Sequence, residues 1–267
     1  MTALGMIFSP HRPPEQLLPV ARAAEDAGLE QLWLWEDCFA ESGLAPAAAV
    51  LASTERLTVG IGLLPVPLRN VALTAMELAT VERLFPGRLL PGIGHGVLNW
   101  MGQVGARAAS PLTLLGEYAQ ALRGLLHGQR VSAQGRYVKL TDVELAWPPD
   151  PAPPLLVGAM RPKTAQLAGQ FADGLITTEQ TPMPEIVTLI EGFHAARAAN
   201  GPDRDATALV VAFTNVPARH GAREVADQIG AYVRAGATHV IARPLGDDVD
   251  AAEYAAFLAG EVRPLLD

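Results

Sequence analysis

Two glycine-flanked turns carry the residue types in this chain with the most chemical promise. The segment RLTVGIGLLPVPLRN, Arg56 to Asn70, and the segment GRLLPGIGHG, Gly87 to Gly96, each read as a short apolar run ending in a turn. Gly62, Leu63, Leu64 and Pro65 close the first, and His95 with Gly96 closes the second. An imidazole titrates near neutrality, so His95 is a candidate for proton transfer. Asp37, which follows the run Gln31 to Trp35, is a candidate acid or base beside Cys38. A third segment, GAMRPKT from Gly158 to Thr164, opens a helix with proline near its start. The positive end of that helix, with Arg161 and the Thr164 hydroxyl, has the chemistry of an anion site.

These turns need elements to hold them, and the hydrophobic pattern supplies a regular set. Leu4 to Phe8, Gln31 to Trp35, Thr58 to Leu64 and Arg88 to Gly94 read as strands, with helical stretches from Pro14, Ala45, Asn70 and Pro111 following them. After Pro154 the alternation resumes, with strands at Leu155, Gly174, Ala208 and His239 and a final helix from Ala251 to Leu265. Residues 129–141, QRVSAQGRYVKLT, read as a β-hairpin inserted between the fourth helix and the fifth strand. Eight βα units in about 250 residues fit a closed α/β (β/α)8 barrel formed by one domain, residues 1–267. The rival doubly wound sheet lacks its fingerprint, because GIGHG has no third glycine in the G-x-G-x-x-G spacing. In a barrel, chemistry gathers just beyond the strand ends, and that is where all three segments fall.

Bulk properties exclude several classes. The chain has 267 residues, 49% of them hydrophobic, a formal net charge of −8 and no basic run, which argues against nucleic acid or an anionic membrane as main partner. No apolar stretch reaches the ~18 residues of a membrane span, and the start of the chain lacks a signal-peptide pattern, so a cytoplasmic protein is expected. Cys38 is the single cysteine. Too few histidines and carboxylates converge on the strand ends for a metal centre, and none is expected. Asp37 and Glu179 are the only carboxylates that could form a glycosidase pair. Apolar and amide groups dominate the rim, which suits a broad, flat organic ligand.

With WLWEDCF, GIGLLPVPLRN, PGRLLPGIGHG, NWMGQVGA, SPLTLLGEY and GQFADGLI in place, the chain resembles the bacterial luciferase-like flavin-dependent oxidoreductases over nearly its whole length, and specifically the branch that uses the deazaflavin coenzyme F420. The resemblance implies a luciferase-like TIM barrel whose third strand ends in a bulge with a cis peptide between Gly62 and Leu63. Leu63 and Leu64 would then back the central ring of the cofactor. It further implies that Asp37, Cys38, His95 and Gly96 contact the ring, and that Gly158, Ala159, Met160 and Arg161 take the phosphate. Two positions depart from the family pattern: Cys38 stands where histidine is common, and Val97 where an acid is common. His95 and Asp37 are therefore the catalytic candidates. The implied reaction is hydride transfer between F420 and a small organic substrate, in a homodimer. Two alternatives stay open, an FMN-dependent monooxygenase and a non-catalytic ligand-binding barrel.

Overall fold

In a computed structural model the chain is described over residues 2–201, 207–217, 220–246 and 249–266. Eight parallel strands close into a barrel: β1 (Ala3–Phe8), β2 (Gln31–Leu34), β3 (Thr58–Pro65), β4 (Leu89–Gly94), β7 (Leu156–Gly158), β8 (Gly174–Thr177), β9 (Leu209–Pro217) and β10 (His239–Leu245). They neighbour one another in that order, and β10 returns to β1. Between them run α1 (Leu17–Asp26), α2 (Leu44–Ser53), α3 (Val71–Leu84), α4 (Leu98–Gln103), α5 (Pro111–Leu126), α6 (Pro162–Phe171), α7 (Met183–Ala198), α8 (Ala222–Arg234) and α9 (Ala251–Phe257). The expected hairpin is present as β5 (Val131–Gln134) paired antiparallel with β6 (Lys139–Val143).

Alternation along the strands divides the apolar side chains into two layers. Ile7, Trp33, Leu90, Leu156, Ile176, Val211, Phe213 and Ile241 fill the barrel interior. Their neighbours in sequence, such as Leu32, Leu34, Val59 and Val157, join the larger cluster beneath the helices. The interior is narrow, and Trp33 decides what can face it. A Cβ at Gly60 would fall inside the Trp33 indole, and one at Gly62 inside the Phe213 ring. Glycine at both positions is thus a packing requirement. The indole N–H donates to Gln31 Oε1 at 2.9 Å, so the buried tryptophan is satisfied.

Two charged side chains fix the entry to the site-bearing strands. The Glu25 carboxylate accepts amide hydrogens from Glu55 and Leu57 at 2.9 and 2.8 Å just before β3. The Arg88 guanidinium donates to the carbonyls of Leu51, Thr54 and Leu57, tying β4 to the end of α2.

The last elements differ from the strands and helix read in the sequence. β9 and β10 run on to Pro217 and Leu245, so Thr214, Asn215, Arg243 and Pro244 lie within strands. Their backbones pair in register, Arg243 with Asn215, and the ladder extends the barrel on that side. The last helix ends at Phe257 and widens into a π turn, Leu258–Val262, ahead of Pro264. Trp100 lies on the short α4.

Candidate active site

The bulge in β3 organises one half of the barrel mouth. β3 and β4 pair at Ile61 with Pro91 and next at Leu64 with Ile93, so two residues of β3 oppose the single Gly92. Those two residues are Gly62 and Leu63, joined by a cis peptide bond as the resemblance implies. The Leu63 side chain crosses from the bulge to the ends of β4 and β7. A Cβ at Gly94 would lie 2.5 Å from Leu63 Cδ2, and one at Gly158 would overlap the same atom. Leu63 therefore rests on two strand ends that present no side chain of their own. Leu64 turns the opposite way, into the core beneath the helices, and stands 2.9 Å from where a Gly43 Cβ would be. Only Leu63 of the pair shows its side chain to the mouth.

The turn after β4 and the helix after β7 meet beside that leucine. Gly96 adopts φ +68°, a left-handed conformation that glycine enters without steric cost, and it packs near Pro65 and Met101. His95 turns towards α6, with Nε2 3.3 Å from Thr164 Oγ1, while Nδ1 is buried. Burial pushes the imidazole below its ordinary value of 6.5, against the Pro111 backbone acting the other way, so His95 is neutral near pH 7. Arg161 is the N-cap of α6, and no side chain caps the helix. Met160 and Arg161 are exposed, whereas Ala159 is buried and donates its amide to the Ile176 carbonyl at 2.9 Å.

Charge is concentrated on the other half. Glu36 is buried against Arg69, which donates to both carboxylate oxygens, and Glu36 Oε2 also accepts the Gly43 amide at 2.7 Å. This ion pair anchors the turn that carries Asp37 and Cys38. Burial, with Glu179 nearby, raises the Asp37 carboxyl above its ordinary 3.8, while His11 and Arg243 pull it down. Burial and the Glu36 and Asp37 carboxylates push the Cys38 thiol up, which keeps it protonated. Arg243 lies over the Trp35 ring, 5.1 Å from its centroid, with Nη1 4.0 Å from Glu179 Oε1. Trp35 Nε1 and Asn215 Oδ1 are buried without a hydrogen-bond partner among the described residues, a state uncommon for buried donors and acceptors.

The structure thus gathers Leu63, Gly94, His95, Gly96, Gly158 and the start of α6 at one side of the mouth, and Asp37, Cys38, Glu179 and Arg243 at the other. Sequence reasoning gave neither Arg243 nor Arg69 a task. A signal for Arg243 existed: it is the only cationic residue in the run His239 to Leu245. Among the described residues no group of three or more His, Cys, Asp or Glu side chains is placed to hold a metal.

A family model described as luciferase-like monooxygenase matches residues 3–263. The chain belongs to that family. A 5,10-methylenetetrahydromethanopterin reductase of Methanolobus tindarius is 26% identical over 246 residues, covering 91% of this chain and 75% of the relative. An F420-dependent glucose-6-phosphate dehydrogenase of Mycobacterium avium is 33% identical over 180 residues, 62% of this chain and 53% of the relative. Among solved structures, an F420-dependent secondary alcohol dehydrogenase in complex with an F420-acetone adduct superposes with a TM-score of 0.88 at 19% identity, covering 100% of this chain and 99% of the other. A coenzyme F420 dependent tetrahydromethanopterin reductase from Methanopyrus kandleri gives 0.86 at 17% identity, again over 100% and 99%. A luciferase-like barrel is the fold these share. The mouth fits the flat, anion-tailed cofactors of the family: an apolar back wall at Leu63, two side-chain-free strand ends, an uncapped helix start and unpartnered polar atoms at Trp35 and Asn215.

The histidines give a test of the electrostatics. Burial lowers His95, His127 and His239 below 6.5, so the unfolded chain binds more protons as pH falls through that value. Their contribution to stability is complete above 6.5 and is lost on acidification. Urea unfolding should accordingly give a free energy that falls between ~pH 7.5 and ~pH 5.5, with a shallower slope in His95→Gln; an unchanged slope in that variant would mean the imidazole is not held neutral by the fold.

Proposed function

We propose that this chain is an F420-dependent oxidoreductase that transfers a hydride between the deazaflavin and a small organic substrate. The observation that carries the reading is the Leu63 bulge, seated on Gly94 and Gly158 at the centre of the mouth. Relatives named as F420-dependent support the choice of coenzyme. When bound, the deazaflavin supplies a carbon centre that gives or takes a hydride.

The protein's own residues would orient, shield and move protons. Leu63 forms the wall behind the ring and excludes water from that face. Gly158 to Arg161 and the amides at the start of α6 hold the anionic tail through the helix dipole and the Arg161 charge. Cys38 and Gly96 border the ring edges, and the neutral Cys38 thiol adds no charge there. Asp37 and His95 are the proton-handling groups: the Asp37 carboxyl is already raised towards neutrality, and the neutral His95 imidazole can accept a proton. The substrate is a small molecule, and the reading involves neither nucleic acid nor membrane. A cytoplasmic location accords with the single cysteine. A homodimer through α3 and the turn after β2 accords with the exposed apolar side chains there, Phe39 at 68%, Leu73 at 48% and Met76 at 57%.

Fluorescence titration separates the leading reading from FMN chemistry. F420 should bind saturably and FMN at least about tenfold more weakly, whereas tight binding of FMN alone would favour a monooxygenase and binding of neither a non-catalytic barrel. A second variant measurement addresses proton transfer. His95→Gln should lower turnover by a factor of about 10² or more while F420 affinity stays within a few-fold of the parent; a large affinity loss with unchanged turnover would make His95 a coenzyme contact only.

A further inference from the structure

A separate cavity opens beside the mouth, between the ends of β1 and β10. It encloses about 250 Å³ and is lined on its polar side by Ser9, His11, Arg12, Gln16 and Arg243. No acidic side chain is among its described lining residues. The lining thus carries two guanidinium groups and an imidazole, with the nearby carboxylates of Asp37 and Glu179 set outside it against Arg243. We propose that this cavity is an oxyanion subsite, with Arg243 and Arg12 as its recognition groups, and that it seats a carboxylate or phosphate carried by the substrate.

The two arginines are presented in ways that suit that task. Arg243 is stacked on the Trp35 indole, which fixes the plane of the guanidinium, and its ion pair to Glu179 is long at 4.0 Å. A stacked, loosely paired guanidinium keeps donors available in the fork geometry that matches two oxygens of one anion. Arg12 enters from the opposite side, held by donating Nη2 to the Val249 carbonyl. A carbonyl neutralises no charge, so the cation remains available to an anion. Arg243 also borders Asp37 and pairs in register with Asn215, which connects the cavity with the mouth. A substrate anchored there would extend its reacting carbon past Asn215 and Trp35 towards Leu63. The subsite would select acidic substrates and fix their orientation, and in that respect it rests on the oxidoreductase reading above. The binding of the anion itself does not.

The test uses the cofactor-free full chain at constant ionic strength, titrated calorimetrically with succinate in one arm and inorganic phosphate in the other. At least one should bind saturably, and the arm that binds more tightly identifies the anion. Arg243→Gln and Arg12→Gln, each checked for folding by its thermal melt, should weaken that binding by about tenfold or more. Arg161→Gln should leave succinate binding unchanged, since that side chain stands at the start of α6, where the coenzyme tail is placed and inorganic phosphate can also settle. Absence of any binding that depends on Arg243 and Arg12 overturns the proposal, as does succinate binding lost in Arg161→Gln but retained in the other two variants. F420 affinity should be the same in Arg243→Gln and the parent; a parallel loss would assign the cavity to the coenzyme and overturn the substrate subsite. If the parent binds succinate or phosphate but not F420, the coenzyme assignment fails and the anion site stands.

Discussion

The volume of the barrel interior is the constraint on which the rest depends. Eight strands enclose just enough room for one layer of large side chains, and here Trp33 is the largest of them. The facing positions on β3 must then be glycine, at Gly60 and again at Gly62, where Phe213 fills the remaining space. With no inward side chain at Gly62, β3 ends in a bulge and Leu63 is directed across the mouth. It lands on Gly94 and Gly158, two more positions without a side chain. A packing requirement deep in the barrel is in this way passed to the surface where a ligand would sit.

Electrostatics divides the mouth that packing has shaped. One side is apolar, with a neutral His95 and an uncapped helix start. The other holds Asp37 and Glu179 around Arg243, braced below by the buried Glu36 and Arg69 pair. Removing one partner of such a pair leaves an uncompensated charge, a cost of about 3 to 5 kcal/mol, so the Glu36 and Arg69 contact holds the Asp37 turn firmly. A flat cofactor lying on the first side and a substrate approaching from the second would find proton-handling groups between them.

Much of this was legible in the sequence because local pattern and tertiary role coincide. The eight strands are short and apolar, and the turns after them stand out by glycine and proline, so barrel and hairpin were anticipated from the pattern, while the Gly62-Leu63 bulge was implied by the family resemblance alone. Where the sequence reading fell short, the deciding contacts are between elements distant in the chain. Nothing local says that Leu63 faces the mouth while Leu64 is buried; that follows from the register shift against β4. The role of Arg243 depends on Trp35 and Glu179, which follow β2 and β8 in distant parts of the chain. The extension of β9 and β10 past Phe213 and Ala242 likewise comes from their mutual pairing, which single-strand patterns do not report.

The central claim is that Leu63, resting on Gly94, is the back wall of the coenzyme site. Gly94→Ala tests it directly, because the new methyl group would meet only the flexible end of Leu63, at 2.5 Å from Cδ2, and would displace it from the strand end. The measurement is the F420 dissociation constant of that variant beside its thermal midpoint. A rise of about tenfold or more in the constant with the midpoint within a few degrees of the parent is the predicted result. An unchanged constant would contradict it and place the coenzyme elsewhere.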